Sequence, residues 1–198
     1  MKLILASGSP RRAQILRDAG FVFEVFPTAV DEARHPGEPA DDYVRRIATA
    51  KARAAQKHFA NTKEKTILIA ADTVVLAEGQ ILLKPQDAED ARRMLCLLSG
   101  GAHELLTGIM IVSLPGGAET LHIEKTRVNF LPLSEADIES YIQTGEPFDK
   151  AGAYGIQAMG GRFVTRIEGC YFNVMGLPLS RVWSAVRALG FNDSEKPR

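Results

Sequence analysis

The chain opens on a continuous apolar run, Leu3-Ile4-Leu5-Ala6, closed by Ser7-Gly8-Ser9-Pro10. A run without polar alternation predicts a short strand buried on both faces, in the centre of a sheet. Ser9 then caps a helix that starts at Pro10, carries Ile15, Leu16 and Ala19 on one face, and stops at Gly20. Strand, tight turn, helix is an α/β opening. Residues 21–28 alternate as a second strand, and residues 31–38, with Pro36 and Gly37, read as a loop. Pro39 opens a long helix reaching toward Ala60, with Asp41 and Asp42 in its first turn and Val44, Ile47, Ala48, Lys51, Ala52 and Ala55 following.

Residues 66–76 form the most apolar segment of the chain, a predicted buried strand with one flaw: Asp72 in its middle. Glu78-Gly79-Gln80 turns into a short strand over 81–83, and Asp87 caps a helix bearing Ala91, Met94, Leu95 and Leu98, closed by Gly100 and Gly101. Residues 103–113 and 118–130 predict antiparallel strands joined at Pro115-Gly116-Gly117, and Ser134-Glu135-Ala136-Asp137 is a capping-box start for a helix through Tyr141, ended by Gly145. Glycines at 152, 155, 160 and 161 make residues 150–161 a shaped loop rather than an element interior. A strand over 162–167 and a helix over 177–189, with Trp183 and Val186 on its apolar face, close the fold; the polar residues 192–198 read as a frayed tail. With no internal repeat and no Pro/Ser-rich linker, residues 1–198 are expected to form one α/β domain: a mixed twisted sheet flanked by helices, cleft into two lobes.

Charge narrows the function. The 198 residues carry 24 Lys+Arg against 24 Asp+Glu, so no net field attracts a nucleic acid or an anionic membrane, and any phosphate must be held locally. The hydrophobic share of 45% is that of a globular chain and excludes disordered and collagen-like classes. Cys96 and Cys170 stand far apart without metal-ligand spacing, which fits a reducing cytosol better than a disulfide framework or a zinc site. The apolar N-terminal run is too short for a signal peptide or a membrane span.

Within this frame, Ser7-Gly8-Ser9-Pro10-Arg11-Arg12 brings backbone N–H groups, two hydroxyls, a helix N-terminus and two guanidiniums to one turn. That is either an anion site suited to phosphate or a capped surface helix with solvated arginines. It is neither a P-loop nor a dinucleotide-binding turn. Asp72 is costly to bury unpaired, so it serves as a general base for water, a ligand to a divalent cation, or the structural partner of a buried lysine. Thr73 points to the opposite sheet face. Lys51, among alanines, and Lys84, before Pro85, either reach such a site or extend to solvent. Asp31 and Glu32 matter only if folding carries them to Asp72, where two or three oxygens can hold Mg²⁺ together with substrate phosphates. Histidines 35, 58, 103 and 122 lack metal-site spacing, and no nucleophile elbow is present.

The ordered set Ser7 to Arg12, Asp31-Glu32, Lys51, Ala71-Asp72-Thr73, Lys84-Pro85, Leu98-Ser99-Gly100, Asp149-Lys150-Ala151-Gly152-Ala153-Tyr154-Gly155-Ile156-Gln157 and Gly176-Leu177-Pro178 resembles the Maf family of nucleoside triphosphate pyrophosphatases, nearly end to end. The resemblance implies a Maf/ITPase-like fold and a cytoplasmic, homodimeric enzyme. Such an enzyme uses Mg²⁺ or Mn²⁺ and hydrolyses a nucleoside triphosphate to the monophosphate and pyrophosphate by attack of water at the α-phosphate. It implies Asp72 as general base, Asp72 and Glu32 as metal ligands, and Arg11, Arg12, Lys51 and Lys84 as phosphate-handling residues, with Ser7, Ser9, Thr73 and Gln157 contacting substrate. Arg12, Thr73 and Gln157 follow the branch acting on dTTP and UTP rather than the 7-methyl-GTP branch. A glutamine offers one donor and one acceptor to a uracil or thymine edge, where adenine or cytosine leaves a group mispaired. The family also carries an association with septum formation, so a nucleotide-binding regulator is an alternative, as is a nucleotidyltransferase; pyrophosphate release separates the first, and formation of only the monophosphate in the presence of a sugar phosphate dismisses the second.

Overall fold

The structure, a computed structural model, describes residues 1–192; most of the predicted tail, from 193 on, lies outside the described residues. Seven strands hydrogen-bond in the order β2-β1-β3-β5-β6-β7, with β4 paired to β3 off that path. β1 (Lys2–Leu5) runs parallel to β2 (Glu24–Val25) and to β3 (Thr66–Ala77), while β3 and β4 (Gln80–Leu82) are antiparallel, so the sheet is mixed. The fold class is the α/β one expected, with helices flanking a mixed sheet.

The chain divides into two compact units, and the division falls inside β3, β5 (Ala102–Leu114) and β6 (Glu119–Phe130). Among the described residues, the first unit comprises 1–72, 107–123 and 176–192. Its core is built from strand positions alternating by two: Ile4 and Ala6 on β1 and the segment after it, Leu68 and Ala70 on β3, and Met110, Val112 and Leu114 on β5. Against these lie Ala48, Ala52 and Ala55 of α2 (Ala40–His58). The intervening Leu3, Leu5, Ile67 and Ile69 are buried as well, which is why β1 and β3 show no polar alternation. Gly108 on β5 explains how α2 comes so close: a Cβ there would stand 2.4 Å from the carbonyl oxygen of Val44.

α1 (Pro10–Asp18) begins as predicted, with Ser9 as N-cap, but Ala19 is exposed at its C-cap rather than part of the apolar face. The second predicted strand shrinks from eight residues to the exposed pair Glu24–Val25; at the sheet's edge only Ile4 and Leu5 offer it a partner. α6 (Leu179–Ala188) buries Val182 and Val186, with Trp183 edge-on to Phe21.

The second unit comprises residues 73–106 and 124–175. Its core joins Val75, Leu82 and Leu105 to Met94, Leu95 and Leu98 of α3 (Ala88–Leu98), and Val128 and Phe130 to Ile138, Tyr141 and Ile142 of α4 (Glu135–Ile142). Asp87 caps α3, and Ser134 and Asp137 form the predicted reciprocal capping box of α4. The glycine-rich segment is a series of short 3₁₀ turns over Glu146–Asp149, Ala151–Ala153 and Met159–Phe163. Those turns push the start of β7 (Val164–Glu168) two residues past its predicted start. A one-turn helix, α5 (Tyr171–Val174), had no signal in the hydrophobic pattern. Buried Asn173 within it ties β5 to β6, donating to Leu105 O (3.0 Å), Thr126 Oγ1 (3.0 Å) and Glu124 O (3.3 Å).

Candidate active site

The register of β3 and α2 places an acid and a base together. Leu68, Ala70 and Asp72 share one face of β3 by strand alternation, and the first two lie against the alanine stripe of α2. Tyr43, Ile47 and Lys51 recur every four residues along α2 and are buried, so Lys51 leaves the helix on its inner side. Its Nζ lies 2.7 Å from Asp72 Oδ1 and 2.8 Å from Glu32 Oε1. Solvent extension, one of the two fates open to this lysine, does not occur: Lys51 and Asp72 are each 7% exposed. The 31–38 loop therefore does deliver Glu32 to Asp72, through the ammonium between them.

The first turn meets the same cluster. Arg12 is buried: its Nη1 donates to Ala71 O (2.7 Å) and to Ser7 Oγ (3.1 Å), and its Nε to Gly176 O (2.8 Å). Ser7 Oγ also accepts from Ser9 N (3.2 Å), so the two serines and the guanidinium fix one another. Of the two expectations for this turn, the solvated-surface one fails for Arg12. Its pKa is drawn down mainly by burial and further by Arg11, against the opposing pull of the Asp72 and Glu32 carboxylates; a guanidinium stays protonated regardless. Tyr43 feels the same acids: burial first, then Asp72 and Glu32, push its phenol up to about 12, and that retained proton is donated to Glu32 O at 2.9 Å.

Glu32 is further fixed by a clamp the sequence did not flag. Glu38 accepts from Arg46 Nε (2.6 Å) and Nη2 (2.8 Å) and from His35 N (3.1 Å), while Arg46 Nη2 also donates to Ala33 O (2.9 Å). The ion pair holds the Glu38 carboxyl down at about 2. No local pattern marks it: Arg46 lies one helical turn from Tyr43, and an arginine on a helix carries no such message by itself.

Two carboxylates aimed at one cationic position are hard oxygen donors of the kind Mg²⁺ or Mn²⁺ accepts when phosphates and water complete the shell. Glu32 and Asp72 fit that role; among the described residues no group of three or more His, Cys, Asp or Glu side chains stands ready to enclose a metal alone.

The remaining predicted site residues belong to the second unit. Thr73 is half-buried on β3 and shares its face with Val75. That face receives the glycine loop: Gly152, at φ +70°, comes so near that a Cβ would lie 2.7 Å from Val75 Cγ2. Gly152 N donates to Leu83 O (3.1 Å), which ties the loop to the residue before Lys84. Lys84 is exposed ahead of buried Pro85, and Gln157 is exposed at the tip of the loop.

The chain is similar to known proteins over nearly its whole length. A family model described as Maf-like protein matches residues 2–189. A protein of Anaeromyxobacter sp. (strain Fw109-5) named dTTP/UTP pyrophosphatase is 48% identical over 192 residues, covering 96% of this chain and 90% of its own. Proteins of the same name from Koribacter versatilis (47% over 190 residues, 96% of this chain and 95% of its own) and Carboxydothermus hydrogenoformans (44% over 191 residues, 96% and 100%) are similar throughout. Among solved structures, a nucleoside-triphosphatase / dITP/XTP pyrophosphatase of Mycobacterium abscessus aligns over 96% of both chains at 15% identity and a TM-score of 0.43, a likeness too slight to bear on function.

Proposed function

The chain belongs to the Maf family, and on that premise we propose that it is a nucleoside triphosphate pyrophosphatase that hydrolyses dTTP and UTP to the monophosphate and pyrophosphate, water attacking the α-phosphate. The observation that carries the reading is the Lys51 ammonium held between the Asp72 and Glu32 carboxylates, with the Arg12 guanidinium on the carbonyl of Ala71 next door. A purely structural pair needs one acid for one lysine. Here a second carboxylate, brought in on a loop with its own clamp, keeps acid beyond what Lys51 requires.

In this reading Asp72 orients the attacking water and takes its proton, and Lys51 fixes both carboxylates so that they do not recoil as phosphate arrives. Glu32 and Asp72 together hold Mg²⁺ or Mn²⁺, which supplies Lewis acidity at the phosphoryl oxygens when bound. Ser7, Ser9, Arg11 and Arg12, at the N-terminus of α1, and Lys84 receive the triphosphate oxygens, a charge-neutralising task that makes up most of what phosphoryl transfer asks of a protein. Thr73 and Gln157 contact the nucleoside, with Gln157 reading the uracil or thymine edge. Residues 1–198 act as one catalytic domain, in a cytoplasmic homodimer. Among the described residues no helix is long and apolar enough to cross a membrane.

The test is pyrophosphate release from dTTP, UTP, CTP and 7-methyl-GTP, with and without Mg²⁺ or Mn²⁺. Metal-dependent release from dTTP and UTP is expected. Nucleotide binding with no release under any metal would favour a binding regulator instead, and a preference for CTP would remove the role given to Gln157 while sparing the reaction class.

A further inference from the structure

Gln157 sits on a loop whose backbone is held by a single side-chain relay. Gly155 N–H donates to Tyr141 Oη (3.1 Å), and Tyr141 Oη donates to Glu146 Oε1 (2.8 Å). On the other side of the tip, Gly160 N–H donates to the same Oε1 (3.2 Å) and Met159 N–H to Oε2 (3.0 Å). One carboxylate thus grips the chain before and after the turn at Ile156 and Gln157, while Ala158 N closes the turn on Gly155 O (3.4 Å).

The relay runs in one direction. Tyr141 is fully buried and its phenol is pushed well above its ordinary value, by burial first and by Glu146 second, so it keeps its proton for Glu146 and accepts from Gly155. Glycine at 160 is required by the same arrangement, since a Cβ there would stand 2.6 Å from Tyr141 Oη. Lys150 Nζ donates to Glu146 O (2.7 Å) and pairs with Asp149 (2.6 Å), fixing the segment that carries the carboxylate. Charge-assisted bonds to backbone N–H groups are among the stronger contacts an exposed loop can have.

We propose that Glu146, acting with Tyr141, is a positioning residue for base selection: it holds the 155–160 turn so that the Gln157 amide meets the pyrimidine in one orientation. A hydrogen-bonding amide discriminates only if its donor and acceptor are held in register with the base; a loose turn lets the amide rotate and serve cytosine as well as uracil. The inference rests on Gln157 being the base-contacting residue, and the experiment separates the two.

Steady-state kinetics with dTTP, UTP and CTP are compared for the unmutated protein, Glu146→Gln, Tyr141→Phe and Gln157→Ala, with amide hydrogen exchange read at Gly155, Met159 and Gly160. Glu146→Gln is expected to raise KM for dTTP and UTP about tenfold, with kcat within about twofold, consistent with losses seen when outer-shell partners are removed. The preference for dTTP over CTP in kcat/KM should fall with it, exchange at the three amides should quicken, and Glu146→Gln combined with Gln157→Ala should be no less selective than Gln157→Ala alone. Tyr141→Phe, which deletes only the relay hydroxyl, is expected to move the same quantities less and keeps the test open should Glu146→Gln fold poorly. If Gln157→Ala loses selectivity while Glu146→Gln and Tyr141→Phe keep it, Gln157 stands and the positioning role is overturned. If Gln157→Ala keeps selectivity, the reading of Gln157 falls and this inference with it. A fall in kcat at unchanged KM in Glu146→Gln would also overturn it.

Discussion

The Asp72 cluster of the first unit and the Gln157 turn of the second are held by opposite means. Asp72, Lys51 and Arg12 are charged side chains buried on a strand and two helices, and each is fixed because its element is fixed by the core beneath it. Gln157 is exposed on a segment of 3₁₀ turns, and what holds it is a set of backbone N–H groups ending on one carboxylate. The first arrangement resists change because moving any member strands a buried charge. The second changes cheaply, because a loop can be re-tied without disturbing a core. On the proposed reading, bond-breaking chemistry sits in the region where substitutions damage folding, and recognition sits where they alter choice.

Four changes would break or sharpen that contrast. The largest effect is expected from Asp72→Asn, which should lower kcat on the order of a thousandfold while leaving dTTP affinity, read by calorimetry, within a few-fold. A variant turning over at the unmutated rate would remove the chemistry from this cluster. Gly108→Ala should come next. Its Cβ would meet the Val44 carbonyl of α2, so about 3 kcal/mol of stability should be lost in urea unfolding, and kcat should fall because α2 carries Lys51. Base preference should not change, since the bonds that hold the 155–160 turn come from Tyr141 and Glu146 of the second unit.

A pH effect separates the two units in a third way. His103, buried in the second unit with Nε2 2.8 Å from Tyr154 Oη, has its pKa lowered from 6.5 to about 4 by burial. The unfolded chain therefore binds the proton first, so the stability from keeping this imidazole neutral is complete above pH 6.5 and is lost as pH falls toward 4. Between pH 7 and pH 5 the loss should be on the order of 2 kcal/mol, seen first as faster amide exchange in the second unit, and His103→Gln should flatten it. If exchange quickened equally in the first unit, the two would not differ in this respect. Smallest is Ser134→Ala, which removes half of the capping box of α4 and should cost about 1 kcal/mol by thermal denaturation, with a slight loosening of Tyr141 at the other end of that helix.

Much of this was legible residue by residue. Ser9-Pro10, Asp87 and the Ser134/Asp137 box start their helices where the sequence says they should, because a cap is a local hydrogen bond among residues three apart. Asp72 stood out for being charged in an apolar strand, and the structure pairs it with Lys51, which by itself does not choose among the three roles its cost left open. Strand 21–28 was overread because alternation says nothing about whether a neighbour exists to pair with. Lys51 could not be decided at all: the same alanine-rich stretch serves an inward or an outward lysine until β3 is laid against α2. Glu146 left no trace, since its partners are backbone N–H groups that every residue but proline carries.

What the amino-acid order determined alone was whatever depends on residues near in sequence or on composition: the caps, the apolar runs, the glycine punctuation and the zero net charge. Only the folded chain decided which charges neutralise which. The distances from Lys51 to Glu32 and Asp72, and from Arg12 to Ala71 and Gly176, join positions up to 164 residues apart. The reason is the range of the forces: a cap or a turn is settled within a few peptide units, whereas the energy of a buried charge depends on everything within a few ångströms, and that neighbourhood exists only once sheet and helix have met.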